Sequence, residues 1–246
     1  MEDDAFVLRI YPYAESDAIV VVLTRQSGKL RLICRGLKRP QNALHGIISP
    51  FNLVSIRFSA DDPHQLGRLF EASLNQGFYL QPERLSDFYF CSHMAEVLLS
   101  VEIDPQYGAR IYRLVSALVS CIAHRGYTPA DLLYFYFWLL RLEGWHPDVG
   151  VCGRCHRPFS GENPPAFFQD ADLAVVCEAC RLPGESSERP EMEKFVALQT
   201  CMLRRPPDEV TDTAGVSSNI SSFISRYSRK ISDITGKKYK SLVFIQ

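Results

Sequence analysis

Several features that would assign this 246-residue chain to a familiar class are missing. No hydrophobic run can cross a bilayer: the longest apolar-rich stretch is Leu132 to Leu140, against the roughly 20 residues that a spanning helix needs. No His-Glu-x-x-His or Gly-x-Ser-x-Gly occurs, and Ser27-Gly28-Lys29 fails as a phosphate loop because Leu23 stands where that motif needs glycine. The six histidines are scattered, and Asp61-Asp62 and Asp170/Asp172 sit in turn-like surroundings, as solvated loop charges do. These absences predict a protein that is not an enzyme and has no membrane partner. Nor is a secretory leader expected from this start. Met1-Glu2-Asp3-Asp4 is acidic, the opposite of a leader's basic start, and eight cysteines without one predict a reducing, cytoplasmic setting.

Acidic residues are missing from one long stretch. Between Ala18 and Ala60 there are seven Lys or Arg (Arg25, Lys29, Arg31, Arg35, Lys38, Arg39, Arg57) and no Asp or Glu. Ile220 to Gln246 adds six bases against Asp233, whereas residues 145–219 carry twelve acids against seven bases. The formal net charge of −1 therefore hides a segregated field, and nucleic acid is the partner class it suits.

What is present begins with four cysteines. Cys152/Cys155 and Cys177/Cys180 form two Cys-x-x-Cys pairs, with 21 residues between them. Each pair places two thiolates on one side of a tight turn, and two such turns complete a tetrahedral S4 site for one structural Zn2+ per chain. Redox or disulfide pairs are the alternative, but the flanks lack the strand–helix context of a thioredoxin-type motif. Four thiolates leave no open position for water, so the metal would fold this region rather than do chemistry. His156 could replace a ligand only if the four cysteines did not already fill the site. The other four cysteines, Cys34, Cys91, Cys121 and Cys201, lie in apolar patterns and read as core.

The first eighty residues alternate as short strands: Ala5–Tyr11, Ala18–Thr24, Lys29–Arg35, Phe51–Ser59 and Gly67–Ser73. Five strands in this length predict a small barrel of the oligonucleotide/oligosaccharide-binding (OB) type, with an SH3-like barrel the alternative. From Pro82 the period becomes helical. Helices are expected over about Glu83–Val101, then through Ile111 to Ile122 ending at Gly126, from Pro129 behind a Thr128 cap, and over Pro190–Leu203 and Thr213–Thr235. The fold class is thus α+β: an OB-type domain over 1–80, then a helical bundle over 81–246 with a zinc ribbon inserted at about 148–183.

Lys29, Arg31 and Arg35 share strand parity, and Lys38 and Arg39 continue into a loop, so with Arg25 they are the candidate DNA-binding residues. Arg25 to Pro40 contains no aromatic residue. A grip without stacking platforms holds the backbone, with little sequence preference and modest preference between single and double strands.

Tyr11-Pro12-Tyr13-Ala14-Glu15-Ser16-Asp17, Leu23-Thr24, Gly28-Lys29-Leu30, Arg35-Gly36 and Lys38-Arg39-Pro40 together resemble the N-terminal barrel of the RecO family of DNA repair proteins. Gly67-Arg68-Leu69, Glu71-Ala72, and Gly144-Trp145-His146-Pro147-Asp148 followed by Cys152-x-x-Cys155 extend the likeness over essentially the whole chain. Ala14 and Cys34 depart from the family's usual Gly and Ala, without a change of charge. Some relatives lack the four cysteines, as fits a structural metal. The resemblance implies a recombination mediator of the RecF pathway that binds single- and double-stranded DNA and anneals complementary strands. It implies action with RecR to help load RecA onto DNA coated by single-strand-binding protein (SSB), in the bacterial cytoplasm at the nucleoid. It also implies docking of the acidic SSB C-terminal tail on the helical domain, for which Arg110, Tyr134, Phe137, Trp138 and Arg141 are the candidates; the helix from Pro129 is apolar nearly all round, so most of its aromatics read as bundle core and only some would line a pocket for the tail. Two competing readings are an OB-fold/zinc-ribbon RNA-binding translation or transcription factor and a metalloenzyme. The first would lean on stacking that the basic strand lacks, and the second needs an open metal position.

Overall fold

A computed structural model describes residues 1–60, 65–79, 82–103, 105–160, 165–169, 172–183, 189–210 and 220–244. Asp61-Asp62, Asp170 and the start of the expected helix from Thr213 lie outside the described residues. The chain divides into two compact units, Met1–Tyr127 with Tyr239–Ile245, and Thr128–Lys238.

In the first unit, β1 (Glu2–Tyr13), β2 (Asp17–Thr24), β3 (Gly28–Cys34), β4 (Leu53–Ser59) and β5 (Leu66–Gln76) close a barrel in the order β1-β2-β3-β5-β4. All pairings are antiparallel except β3 with β5. That closure is the OB arrangement and removes the SH3-like alternative. Period-2 alternation fills the interior with Val20, Val22, Leu30, Leu32, Cys34, Val54, Ile56, Phe58 and Leu69. On β1 the inward set changes parity. Ala5 and Val7 face the core, the register shifts between Val7 and Arg9, and Ile10 then packs against the core. Such a bulge re-aims every side chain beyond it, so Arg9, Tyr11 and Tyr13 point outward.

Helices α1 (Leu85–Ser100) and α2 (Pro105–Arg125) pack on the barrel within the same unit. A Cβ at Gly108 of α2 would lie 2.7 Å from the Cα of Gly28, so the helix reaches β3 only through a glycine. Gly126, at φ +85°, ends α2 and donates its N–H to the Ile122 carbonyl at 2.9 Å, a left-handed cap that only glycine adopts without strain. The segment from Tyr239 to Phe244 returns to α1. There Ser241 Oγ meets His93 Nδ1 at 2.8 Å and donates to Glu96, and Tyr239 OH meets Ser100 Oγ at 2.6 Å.

The second unit is built on α3 (Pro129–Leu142), which is buried from Ala130 through Phe137 and again at Leu139 and Leu140. Thr128 precedes it in extended conformation, and the Asp131 carboxylate accepts the Thr128 backbone N–H at 2.8 Å, closing the helix start as its residues predict. α4 (Arg189–Arg204) and α5 (Ile220–Thr235) pack on α3, with the hairpin β6 (Pro165–Gln169) and β7 (Ala174–Cys177) nearby. Phe168 of β6 meets Phe195 of α4 at 4.4 Å, and the Arg226 guanidinium lies over both Phe168 and Phe223. A buried polar knot ties the segment leading to the cysteines onto α4 and α5: His146 Nε2 lies 2.9 Å from Tyr227 OH, and Gln199 reaches both. Each of these polar groups is satisfied, so burial here costs little. No helix is long and apolar enough to cross a membrane among the described residues.

Candidate nucleic-acid interface

Strand register places the cations. In β3 the even residues face the core, so Lys29, Arg31, Ile33 and Arg35 all leave by the outer face, as their parity predicts. Register then carries that face across four strands. One row runs Tyr11, Ile19, Ile33, Arg68, and the next runs Arg9, Val21, Arg31, Leu66. One residue beyond the Cys34–Leu69 pair stand Arg35 and Phe70, which line one depression of about 380 Å³ with Asn42 and Arg68. Arg9, Tyr11, Tyr13, Arg68 and Phe70 were not among the sequence candidates. Their signal was the period-2 alternation within β1 and β5, visible only once the bulge fixes which face is out.

The loop after β3 is held so that its charges stay in solvent. Gly36 adopts φ +66° and donates its N–H to Asp17 Oδ1 at 2.8 Å. Leu37 is buried in the barrel core, and Asn42 Nδ2 donates to the Arg35 carbonyl at 3.0 Å. Lys38 and Arg39 between these anchors are exposed, and the Lys38 ammonium rests on the Ala14 carbonyl at 2.9 Å. Arg35, Arg39, Asn42 and Ser16 border a second depression of about 560 Å³. Arg31, Arg35, Lys38 and Arg39 thus form a cationic surface.

Two of the expected DNA-binding residues are engaged by other groups of the chain. Lys29 shares the face, but its ammonium donates to the carbonyls of Leu98 at 3.0 Å, Leu99 at 3.4 Å and Val101, at the C-terminal end of α1. That is where a cation satisfies orphan carbonyls and opposes the helix dipole, so Lys29 serves the fold. Arg25 lies 3.8 Å from Asp4 and borders a depression that also contains Glu2, Asp3 and Glu71. Arg57, the seventh base of the acid-free stretch, is paired with Glu71.

The metal group assembles in the second unit. Cys152, Cys155, Cys177 and Cys180 bring their Sγ atoms within 4.8 Å of one another, and Cys155 lies 3.9 Å from Cys177. A tetrahedron with bonds of about 2.3 Å has edges of about 3.8 Å, so the four sulfurs fit a metal ion. The first turn closes through His156 N–H to the Cys152 carbonyl at 2.9 Å, with His156 at φ +57°, exposed and outside the group. A Cβ at Gly153 would sit 2.8 Å from that of Ala174, so the close approach to β7 needs glycine. The backbone N–H of Arg157, then its guanidinium, hold the Cys155 thiol down at about 6, while hydrogen bonding to Cys155 and then to Cys177 keeps the proton on Cys180 and pushes it up to about 12. Negative charge gathered this closely suits a bound cation. By contrast, burial raises the thiols of Cys34 and Cys91, which are core residues.

Comparison with known proteins bears on this architecture directly. The model of the recombination protein O N-terminal domain matches residues 1–78, and that of the recombination protein O C-terminal domain matches residues 82–204. The chain belongs to the RecO family. Relatives named DNA repair protein RecO include one from Nocardioides sp., 28% identical over 206 residues that cover 82% of this chain and 81% of that protein. Another, from Streptomyces coelicolor, is 27% identical over 208 residues, covering 80% and 82%. A third, from Anaeromyxobacter sp., is 29% identical over 178 residues, covering 72% and 69%. The RecO assignment places the chain in DNA repair and recombination.

Two of the residues expected to dock the SSB tail lie in the interior. Phe137 is fully buried against Trp138 and His146, and Tyr134 is buried with its hydroxyl directed to the Arg205 carbonyl at 3.4 Å. Neither ring can be offered to a peptide. On α3 only the half-buried Trp138 and the exposed Arg141 remain, and Arg110 belongs to α2 of the first unit. The physical reason is that α3 is the centre of its unit, and aromatic content there is spent on packing.

Proposed function

We propose that this chain is a recombination mediator of the RecF pathway that binds single- and double-stranded DNA through its barrel and anneals complementary strands. The observation that carries the proposal is the cationic surface of Arg31, Arg35, Lys38 and Arg39, exposed on an OB barrel in a RecO-family chain. Phosphate contacts of this kind hold two strands close and screen their repulsion, while base pairing supplies the driving force. No bond to the nucleic acid is made or broken, so no catalytic residue is required.

In the same reading the protein acts with RecR to help load RecA on SSB-coated single strands, in the bacterial cytoplasm at the nucleoid. The four-cysteine group holds one structural Zn2+, which four thiolates of this spacing favour. Arg141, exposed beside Trp138, pairs with the carboxylates of the SSB tail. An Arg141→Ala protein that binds the tail peptide as tightly as the parent places that contact elsewhere.

The test of the main proposal is DNA titration and annealing with Arg31, Arg35, Lys38 and Arg39 all changed to Ala. Affinity should collapse and annealing with it. For the parent, four contacts give a slope of log affinity against log salt of about −3 on single strands. A parent slope near zero, or a quadruple variant that binds and anneals normally, refutes the proposal.

A further inference from the structure

The outer face of the barrel is not only cationic. Tyr11 and Phe70 are each 42% exposed and Tyr13 is 45% exposed, on two strands that border the same face. Each side of the face pairs an arginine with a ring: Arg9 lies over Tyr11 at 5.3 Å from the ring centre, and Arg68 over Phe70 at 5.2 Å. Between them run Ile19 and Ile33, half-buried, with Arg31 and Arg35 on either side of Ile33 along β3. Large aromatic rings left in water lose apolar contact, and here they recur at both margins of a positively charged surface.

We propose that Tyr11 and Phe70, with their covering arginines, are base-stacking platforms that make this face select single-stranded over double-stranded DNA. The inference rests on the reading of the face as a DNA surface and deepens it by naming what sets its preference. A single strand can turn its bases onto the rings and guanidinium planes while its phosphates meet Arg31, Arg35, Lys38 and Arg39. A duplex has its bases stacked inside and offers only phosphates. The separation suits the purpose: three strand spacings of about 4.8 Å and two residues of about 3.3 Å along β5 put the Tyr11 and Phe70 positions roughly 16 Å apart along the sheet, enough for nucleotides between them on the apolar Ile19–Ile33 strip. The preference between single and double strands should therefore be strong, not modest as the basic strand alone implies. The aromatics absent from residues 25–40 are supplied by β1 and β5.

The test uses the full chain with Tyr11→Leu, Phe70→Leu and the pair together. Leucine keeps apolar bulk at exposed strand positions, and an unchanged urea midpoint confirms an intact fold. Each change should weaken binding to an oligo(dT) strand about 5- to 150-fold, the worth of one lost base stack. Duplex affinity and the salt slope should stay at parental values. An abasic strand of equal length, with the same phosphates but no bases, should bind the parent as weakly as the normal strand binds the double variant. The inference is overturned if single-strand affinity is unchanged, if single- and double-strand affinities fall together, or if the parent holds abasic and normal strands alike. A parent that binds neither DNA form, or binds without salt dependence, overturns the DNA-surface reading beneath it as well.

Discussion

Replacing Lys29 with Met separates what the linear pattern of charge implies from what the structure does with that charge. The ammonium donates to three carbonyls at the end of α1, in a half-buried position. Methionine keeps the apolar stem and removes the donors, leaving those carbonyls without their cation. Hydrogen bonds from a charged group contribute about 1.5–3 kcal/mol, and a cation at a helix C-terminus about 0.3–1 kcal/mol. These overlap, because the same ammonium makes both, so the loss should be about 2–3 kcal/mol. In the first unit this corresponds to a Tm lower by roughly 6–12 °C, with a matching fall in the urea midpoint and an unchanged m-value. DNA should respond differently. Arg35→Ala ought to flatten the salt slope on single strands by about 0.7, one phosphate contact, without loss of stability. Lys29→Met should leave that slope as it is at temperatures where the protein is folded. The reasoning is refuted if Lys29→Met melts with the parent while its DNA affinity and slope fall like those of Arg35→Ala.

The purified protein should carry one zinc per chain by metal analysis. Cys155→Ser should release it and loosen the β6–β7 hairpin while the barrel still binds DNA, and metal-free parent protein with an ordered hairpin would count against this. Stability should also fall with acid in a defined window. Burial holds the imidazoles of His93 and His146 down at about 4. In the unfolded chain they titrate near about 6.5. The unfolded state thus takes up protons first, and the stability present above about 6.5 is lost as the pH falls towards 4, by about 2 kcal/mol per histidine at pH 5. Urea midpoints measured at pH 7 and pH 5 check this, and equal midpoints would falsify it.

Periodicity and spacing placed much of this structure. The five barrel strands, the Thr128–Asp131 helix start, the glycine stop at Gly126 and the meeting of four cysteines follow from residue type and local interval. Local chemistry dominates at those points. What stayed hidden depends on partners distant in sequence. Lys29 and Arg31 look alike on β3, and only the arrival of α1, some seventy residues later, takes one cation for the fold and leaves the other in water. Tyr11 and Phe70 are separated by most of the barrel and become neighbours of one face through register alone. The bulge after Val7 is equally silent, since a strand pattern read with unbroken period 2 would send Arg9, Tyr11 and Tyr13 to the same side as Val7. On α3, an aromatic run could serve a core or a groove with the same letters, and burial decides for the core at Phe137.

The return of Tyr239–Phe244 to α1 makes the first unit discontinuous: the segment that covers His93 and Glu96 is encoded after the whole of the second unit. During vectorial synthesis, the barrel and its two helices emerge long before the piece that completes them. Until that piece arrives, the α1 surface it covers stays uncovered on the nascent chain, where a chaperone or a neighbouring chain can reach it. Closure of that surface accordingly follows synthesis of the second unit, so acquisition of the finished first unit reports that translation has passed through the four-cysteine group and α5.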